Sequence, residues 1–206
     1  MDSHGETQLQ SAFHRITPET VINLVEKTLG QRCTNLCRPL ISYINRVYEL
    51  ETGDGRGIIV KFYRPGRWSR AGLQDEHDFL NELAAGEIPV VAPLTLRDGS
   101  SLGSSGSIHF AVFPKTGGRS FDEYSDEQWL ELGRLLGRTH NVGALHLPED
   151  RLTMAPDIST RQQVFFLLQN NFIPADMANR YQDLAEDFIS TVSPLFNPAD
   201  MICIHA

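Results

Sequence analysis

Cysteine is scarce in this chain: Cys33, Cys37 and Cys203 are the 3 among 206 residues. That is too few for a disulfide framework, and Cys33 and Cys37 have no second local pair to complete a zinc site, so the thiols read as free and no metal site is expected. A long apolar run is also missing, since no segment approaches the roughly 20 residues that a membrane-spanning helix needs. The start, Met1-Asp2-Ser3-His4-Gly5-Glu6, is polar and acidic where a signal peptide would be basic and then apolar. These absences point to a cytoplasmic protein with no membrane partner. Nor is positive charge in excess: the formal net charge of -8 argues against a general binder of nucleic acid or anionic surfaces. With 41% hydrophobic and 21% charged residues, the composition suffices for a sizeable core in one large domain or two small ones.

What the chain does carry is a cation inside a strand. Lys61 stands in Gly57-Ile58-Ile59-Val60-Lys61-Phe62-Tyr63-Arg64-Pro65, a β-branched and aromatic run. Desolvating an ammonium costs several kcal/mol unless an anion meets it. Either a negative group waits for Lys61, or the strand is an edge whose alternate face is wet. Arg64, Arg67 and Arg70 follow closely, making a local basic cluster on an acidic protein.

Helical spacing of Val21, Leu24, Val25, Thr28 and Leu29, opened by Thr17-Pro18-Glu19 and closed by Gly30, predicts a first helix over 17–29. The period then changes. Residues 40–50 and 57–63 are β-rich and flank the turn Gly53-Asp54-Gly55, which reads as a hairpin with Lys61 near the end of its second arm. Pro65-Gly66-Arg67 breaks the strand, and a second helix is expected over 71–85, before Gly86 and Pro89. Two more strands are expected at 90–96 and 108–113, on either side of the Gly- and Ser-rich stretch 99–106. From Ser125 the pattern is helical, with Trp129, Leu132, Leu135, Leu136 and His140 in one run to Gly143, then further helices at 160–171 and 175–192. A sheet followed by helices is an α+β arrangement, with a hinge at 114–119. Residues 201–206 form an apolar, β-prone ending, which reads as a strand cut short and the chain as a fragment.

The helix after Lys61 offers Asp75, Glu76, Asp78 and Glu82. Glu76 flanks the apolar side made by Phe79, Leu80 and Leu83 and is the expected partner of Lys61; alternatively, these acids form a solvated face. A strand lysine joined to a helix carboxylate is how protein kinases hold the α- and β-phosphates of a nucleotide. The Gly-rich phosphate loop of those enzymes is absent. In its place stands Ser42-Tyr43-Ile44-Asn45-Arg46-Val47-Tyr48, whose backbone amides can cradle phosphate with help from the Ser42 and Asn45 side chains. The run Phe110-Ala111-Val112-Phe113-Pro114 suits either a linker strand that meets an adenine ring or an ordinary core strand.

Taken in order, the Ser42–Tyr48 segment, Val60-Lys61-Phe62-Tyr63-Arg64-Pro65-Gly66-Arg67-Trp68, Glu76-His77, Pro89-Val90-Val91-Ala92-Pro93, Phe110–Pro114 with Gly117-Gly118-Arg119, and Gly133-Arg134-Leu135-Leu136-Gly137-Arg138-Thr139-His140 carry a resemblance. From about Ile41 to Ala206, the chain resembles the bacterial stress response kinase A family. That family belongs to the aminoglycoside phosphotransferase and choline kinase-like group, which shares the protein kinase fold. The resemblance implies a complete amino-terminal lobe of antiparallel sheet plus one helix, behind a leading helix, over residues 1–114. An incomplete helical lobe would follow over residues 115–206. It further implies a monomeric, cytoplasmic Ser/Thr protein kinase of the stress response that uses ATP and Mg2+. By it, Lys61 binds the α- and β-phosphates, Glu76 orients Lys61, and the hinge near Phe113 meets adenine. Ile204-His205-Ala206 resembles the start of the family's catalytic loop, with Ala206 where the family has Gly and His205 in a structural role. The catalytic Asp and the metal-binding Asn and Asp would follow Ala206, so no catalytic residue and no metal ligand is assigned in this chain, which alone is expected to be inactive. Two alternatives stay open: a kinase of small alcohols such as an aminoglycoside, choline or homoserine, and a non-catalytic module that binds nucleotide or a partner protein.

Overall fold

Thr17, in extended conformation, accepts a hydrogen bond from the Thr20 amide on its side-chain oxygen (3.3 Å), and Pro18 supplies a preset first helical residue. The helix so begun, α1, runs Pro18–Leu29 and stops at Gly30, whose φ of 71° lets its N–H return to the Glu26 carbonyl. The computed structural model describes residues 13–118 and 123–204. Five strands follow α1 in one antiparallel sheet: β1 (Cys33–Leu40), β2 (Arg46–Thr52), β3 (Gly57–Phe62), β4 (Gly103–Ser105) and β5 (Ile108–Pro114), in the spatial order β1-β2-β3-β5-β4. With the helices described below, this is the expected α+β arrangement.

The hairpin expected around Gly53-Asp54-Gly55 is the β2–β3 pair, closed by Thr52 and Arg56 (N···O 2.9 Å). β1 was not anticipated. Its sequence, CTNLCRPL, mixes polar residues and a proline, which suits an edge strand whose outer side needs no ladder. The strand expected at 90–96 does not form. Pro89 and Pro93 remove donors there, and the segment reaches the sheet through the Leu94 amide on the Val112 carbonyl (2.7 Å). The strand instead lies within the Gly- and Ser-rich stretch, where Gly103 pairs with Phe110. A Cβ on Gly103 would collide with the Phe110 ring, so the bare backbone is what lets β4 close on β5.

Alternation along β3 fixes both faces of the sheet. Ile58, Val60 and Phe62 are buried with Val21 and Val25 of α1, Leu50, Phe110 and Val112, each such side chain contributing about 1.5–3 kcal/mol. Lys61 therefore points to the opposite face. That face is covered by α2 (Arg70–Ala85), which starts at Ser69, its Oγ accepting from the Gly72 amide (2.9 Å). Leu73 of α2 packs there with Tyr63, Leu102 and Ala111, flanked by Trp68 and Phe113.

The third helix, expected from Ser125, is α3 (Asp126–Gly143), opened by reciprocal bonds between Ser125 and Gln128. Trp129, Leu132 and Leu136 on it are exposed: caps and spacing specify the helix whether or not its apolar stripe is covered. Arg138 donates to the carbonyls of Gly86 and Glu87 at the end of α2 (3.1 and 2.9 Å), and the Asp150 amide donates to Asp75 (2.8 Å). These ties explain why one compact unit takes the chain up to Gly143 together with Pro148–Asp150. The lobe boundary expected at 114/115 is a different division of the chain. The other unit comprises Ala144–Leu147 and the residues from Arg151 on. It holds α4 (Arg161–Gln169) and α5 (Ala178–Val192), clamped by the Arg161 fork on Glu186 (3.2 and 3.0 Å) over buried Val164 and Ile189. Residues 201–204, expected as strand, have no ladder, while His205, Ala206 and the hinge residue Arg119 lie outside the described residues.

Gly103→Ala is expected to destabilise the protein by about 1–3 kcal/mol through overpacking against Phe110. Gly133→Ala, in open space on α3, is expected to be neutral or stabilising by up to about 1 kcal/mol. Urea unfolding of both variants measures the contrast.

Candidate nucleotide site

The β3 register places Lys61 between Val47 of β2 and Ala111 of β5. Nearly two turns into α2, Glu76 comes to meet it. The Lys61 Nζ lies 3.2 Å from Glu76 Oε1, and the two side chains are 28% and 23% exposed. The edge-strand alternative fails, because β3 is central and Lys61 has its anion. A charge-assisted bond at this depth contributes about 1–3 kcal/mol and leaves Lys61 N–H donors for a second anion.

Lys61 is also held from below. Its Nζ sits 4.5 Å from the centroid of the Tyr63 ring, within cation–π range. The Tyr63 hydroxyl is 2.8 Å from His77 Nε2, and His77 Nδ1 is 2.8 Å from Ser101 Oγ. His77 is fully buried. Burial holds its imidazole below the usual range, an effect that Glu76 and Asp78 oppose and Lys61 reinforces.

A second ionic group lies on the same face, one pleat away. Glu49, buried in β2, stands opposite Ile59. Its carboxylate pairs with Lys115 (2.6 Å) and with Arg38 of β1. The Lys115 hydrogen bond, then the Arg38 one, hold the Glu49 carboxyl below the ordinary carboxylate range. Between the two ion pairs the face is apolar: Val47 and Ala111 flank Lys61 in one row, and Ile59 lies beside Phe113 in the next.

The other expected residues lie around this face. Ser42–Asn45 form the turn between β1 and β2, two residues from Val47, and Ser42 is exposed there. Asn45 Oδ1 accepts from the Arg64 amide (3.2 Å), tying the turn to the end of β3. Phe113 is half-buried on β5 against the edge of His77 (ring centroids 6.2 Å). Thus Lys61 and Glu76 are in contact, Asn45 serves the frame of the turn, and Phe113 belongs to the apolar strip. Arg38, Glu49 and Lys115 went unnoticed in the sequence. Glu49 carried a usable signal, a lone carboxylate in the β-rich run Val47-Tyr48-Glu49-Leu50, which poses the same question as Lys61. Among the described residues no group of three or more His, Cys, Asp and Glu side chains is placed to hold a metal ion. None of the described helices is long and apolar enough to cross a membrane.

Known proteins share both the sequence and the fold. Stress response kinase A of Salmonella choleraesuis (strain SC-B67) is 39% identical over 153 residues, which cover 74% of this chain and 45% of that protein. The serine/threonine protein kinase RdoA of Salmonella typhimurium (strain LT2) is 38% identical over the same shares. The chain therefore spans under half the length of these relatives. Among solved structures, the amicoumacin kinase hAmiN, in complex with AMP-PNP, Ca2+ and Ami, superposes with a TM-score of 0.68 at 18% identity, over 92% of this chain and 57% of that one. That likeness extends the shared fold well beyond the sheet. A family model described as phosphotransferase enzyme family matches residues 37–199, a span that contains β2, β3 and α2 with the Lys61–Glu76 pair they bring together: the chain belongs to this family.

Proposed function

We propose that the chain is the nucleotide-binding part of an ATP-dependent phosphotransferase, and that the whole protein is a stress-response kinase acting on Ser and Thr hydroxyls of proteins. The observation that carries this reading is the Lys61–Glu76 pair, a half-buried cation already neutralised once and still able to donate. In this reading the Lys61 ammonium takes the α- and β-phosphates, and Glu76 keeps it aimed at them. The backbone of the Ser42–Asn45 turn, the Ser42 hydroxyl and the Asn45 amide nitrogen donate to phosphate oxygens. The base lies against the partly exposed Val47, Ile59 and Phe113, a strip that fits a flat aromatic ring by its apolar character. Bound ATP supplies the phosphoryl group.

Among the described residues no group of three or more His, Cys, Asp and Glu side chains is placed to hold the Mg2+ that the resemblance implies. Its ligands and the catalytic Asp are the residues that the family resemblance places after Ala206. Because the chain spans under half the length of the Salmonella relatives, transfer is proposed for the whole protein, in the cytoplasm and as a monomer. The protein-kinase reading draws on the names of the relatives. A second reading, phosphorylation of a small alcohol, is favoured by the fold shared with a kinase named for amicoumacin.

Titration with ATP is expected to show saturable binding that Lys61→Ala weakens at least about tenfold, the loss of a charge-assisted contact. Unchanged affinity in that variant contradicts the site. Incubation with labelled ATP, Mg2+ and either casein or a panel of small alcohols is expected to give no Lys61-dependent transfer from the 206 residues. The whole protein, of which this chain covers under half by the length of the Salmonella relatives, is expected to label one of the two classes in a Lys61-dependent way, which decides the acceptor.

A further inference from the structure

Consecutive residues of α2 hold Lys61 by different routes. Side chains one residue apart on a helix diverge by about 100°, so Glu76 meets the ammonium directly at 3.2 Å while His77 is turned into the core. His77 reaches Lys61 through Tyr63, whose ring lies under the ammonium and whose hydroxyl meets Nε2. A small shift of α2 would disturb both contacts at once.

A neutral imidazole has one donor and one acceptor, so the chain Tyr63–His77–Ser101 can run in two directions. In one, the Tyr63 hydroxyl donates to Nε2 and Nδ1–H donates to Ser101. In the other, Ser101 donates to Nδ1 and Nε2–H donates to the phenol oxygen. The two differ at the ring that Lys61 sees: a phenol that donates its proton gains electron density, and one that accepts loses it. An ammonium 4.5 Å from the ring centroid is attracted by the richer ring. The charged groups facing His77 are Lys61 from β3 and Glu76 and Asp78 from its own helix. β5 presents the Phe113 ring, and the segment before β4 presents Ser101, which also accepts from Gln74 (3.4 Å). A protonated ring would have to donate to Tyr63 and would add a second cation beneath Lys61.

We propose that His77 is a positioning residue for the phosphate-binding Lys61: as the neutral Nδ1–H tautomer, its Nε2 accepts from the Tyr63 hydroxyl and holds the phenol ring beneath the ammonium. The inference rests on the nucleotide reading above, and it adds a residue that touches no nucleotide itself.

Two measurements on the full chain test it. In 15N NMR, with the His77 signal assigned by its loss in His77→Gln, Nδ1 is expected to be protonated and Nε2 to be a bare acceptor from pH 8 to pH 6. An Nε2–H tautomer, or a cationic ring at pH 7, overturns the proposal. In ATP titrations, Tyr63→Phe and His77→Leu are expected to weaken affinity about fivefold, while His77→Gln, whose amide oxygen can replace Nε2, stays within about twofold. Unchanged affinity in Tyr63→Phe, with Lys61→Ala weakened, also overturns it. If Lys61→Ala leaves affinity unchanged as well, the nucleotide reading has failed, and the NMR tautomer still decides whether His77 serves Tyr63 and Lys61. Should His77→Leu not fold, Tyr63→Phe and the spectrum decide. The neutral tautomer also has a thermodynamic sign: folded His77 binds fewer protons than its unfolded counterpart. Its contribution is full above about pH 6.5 and is lost as the pH falls below that value, so His77→Gln is expected to flatten the fall in thermal midpoint between pH 7 and pH 5.5.

Discussion

A cation in the central strand of a sheet constrains everything built around it. β3 must expose Lys61 on one face while burying Ile58, Val60 and Phe62 on the other, and α1 covers that other face with Val21 and Val25. α2 must then cross the Lys61 face in the one rotation that brings Glu76 to the ammonium and still buries Leu73, His77, Leu80 and Leu83. A slip of one residue along the helix would carry Glu76 round by about 100° and leave a half-buried charge unmatched. The Ser69 cap, which fixes where α2 starts, therefore also fixes the electrostatics of the site.

The same face uses charge a second time. Glu49, between Arg38 and Lys115, anchors the edge strand β1 and the chain beyond β5 to the middle of the sheet. Two ion pairs with apolar side chains between them give a surface that is polar at its ends and dry in its middle. In the proposed function the base of an adenine nucleotide lies on the dry middle and its phosphates at the Lys61 end. In that proposal the phosphate end needs a cation with donors to spare, and Lys61, with one carboxylate at hydrogen-bond distance among the described residues, supplies it better than a fully enclosed pair would.

Much of this was legible in the sequence because the signals were local. Thr17 with Pro18 and Gly30, and Ser125 with Gln128, are cap signatures that need no tertiary context, and the helices they bound appear where spacing puts them. Lys61 and Glu76 were legible for a different reason: a charge in a β-rich run demands a partner, and the following helix offers few. What escaped was set by pairing across the sheet. The strand at Cys33–Leu40 has neither alternation nor β-propensity and exists because β2 templates it. The run at 90–96 has the composition of a strand, but Pro93 within it and Pro89 just before it remove ladder donors, whereas Gly103–Ser105 looks like a loop and becomes β4 because Phe110 needs a partner without a Cβ. The link from Tyr63 to His77 spans 14 residues and depends on a rotation that no spacing rule resolves.

If the pair is the organising interaction, Glu76 acts on nucleotide only through Lys61. A double-mutant cycle on ATP affinity, with Lys61→Met, Glu76→Gln and the two combined, tests that dependence most directly. The expected result is that Glu76→Gln weakens binding in the unaltered chain and has no further effect once Lys61 is Met. An equal loss in both backgrounds would contradict the account, because Glu76 would then act on the nucleotide, or on the fold, independently of Lys61.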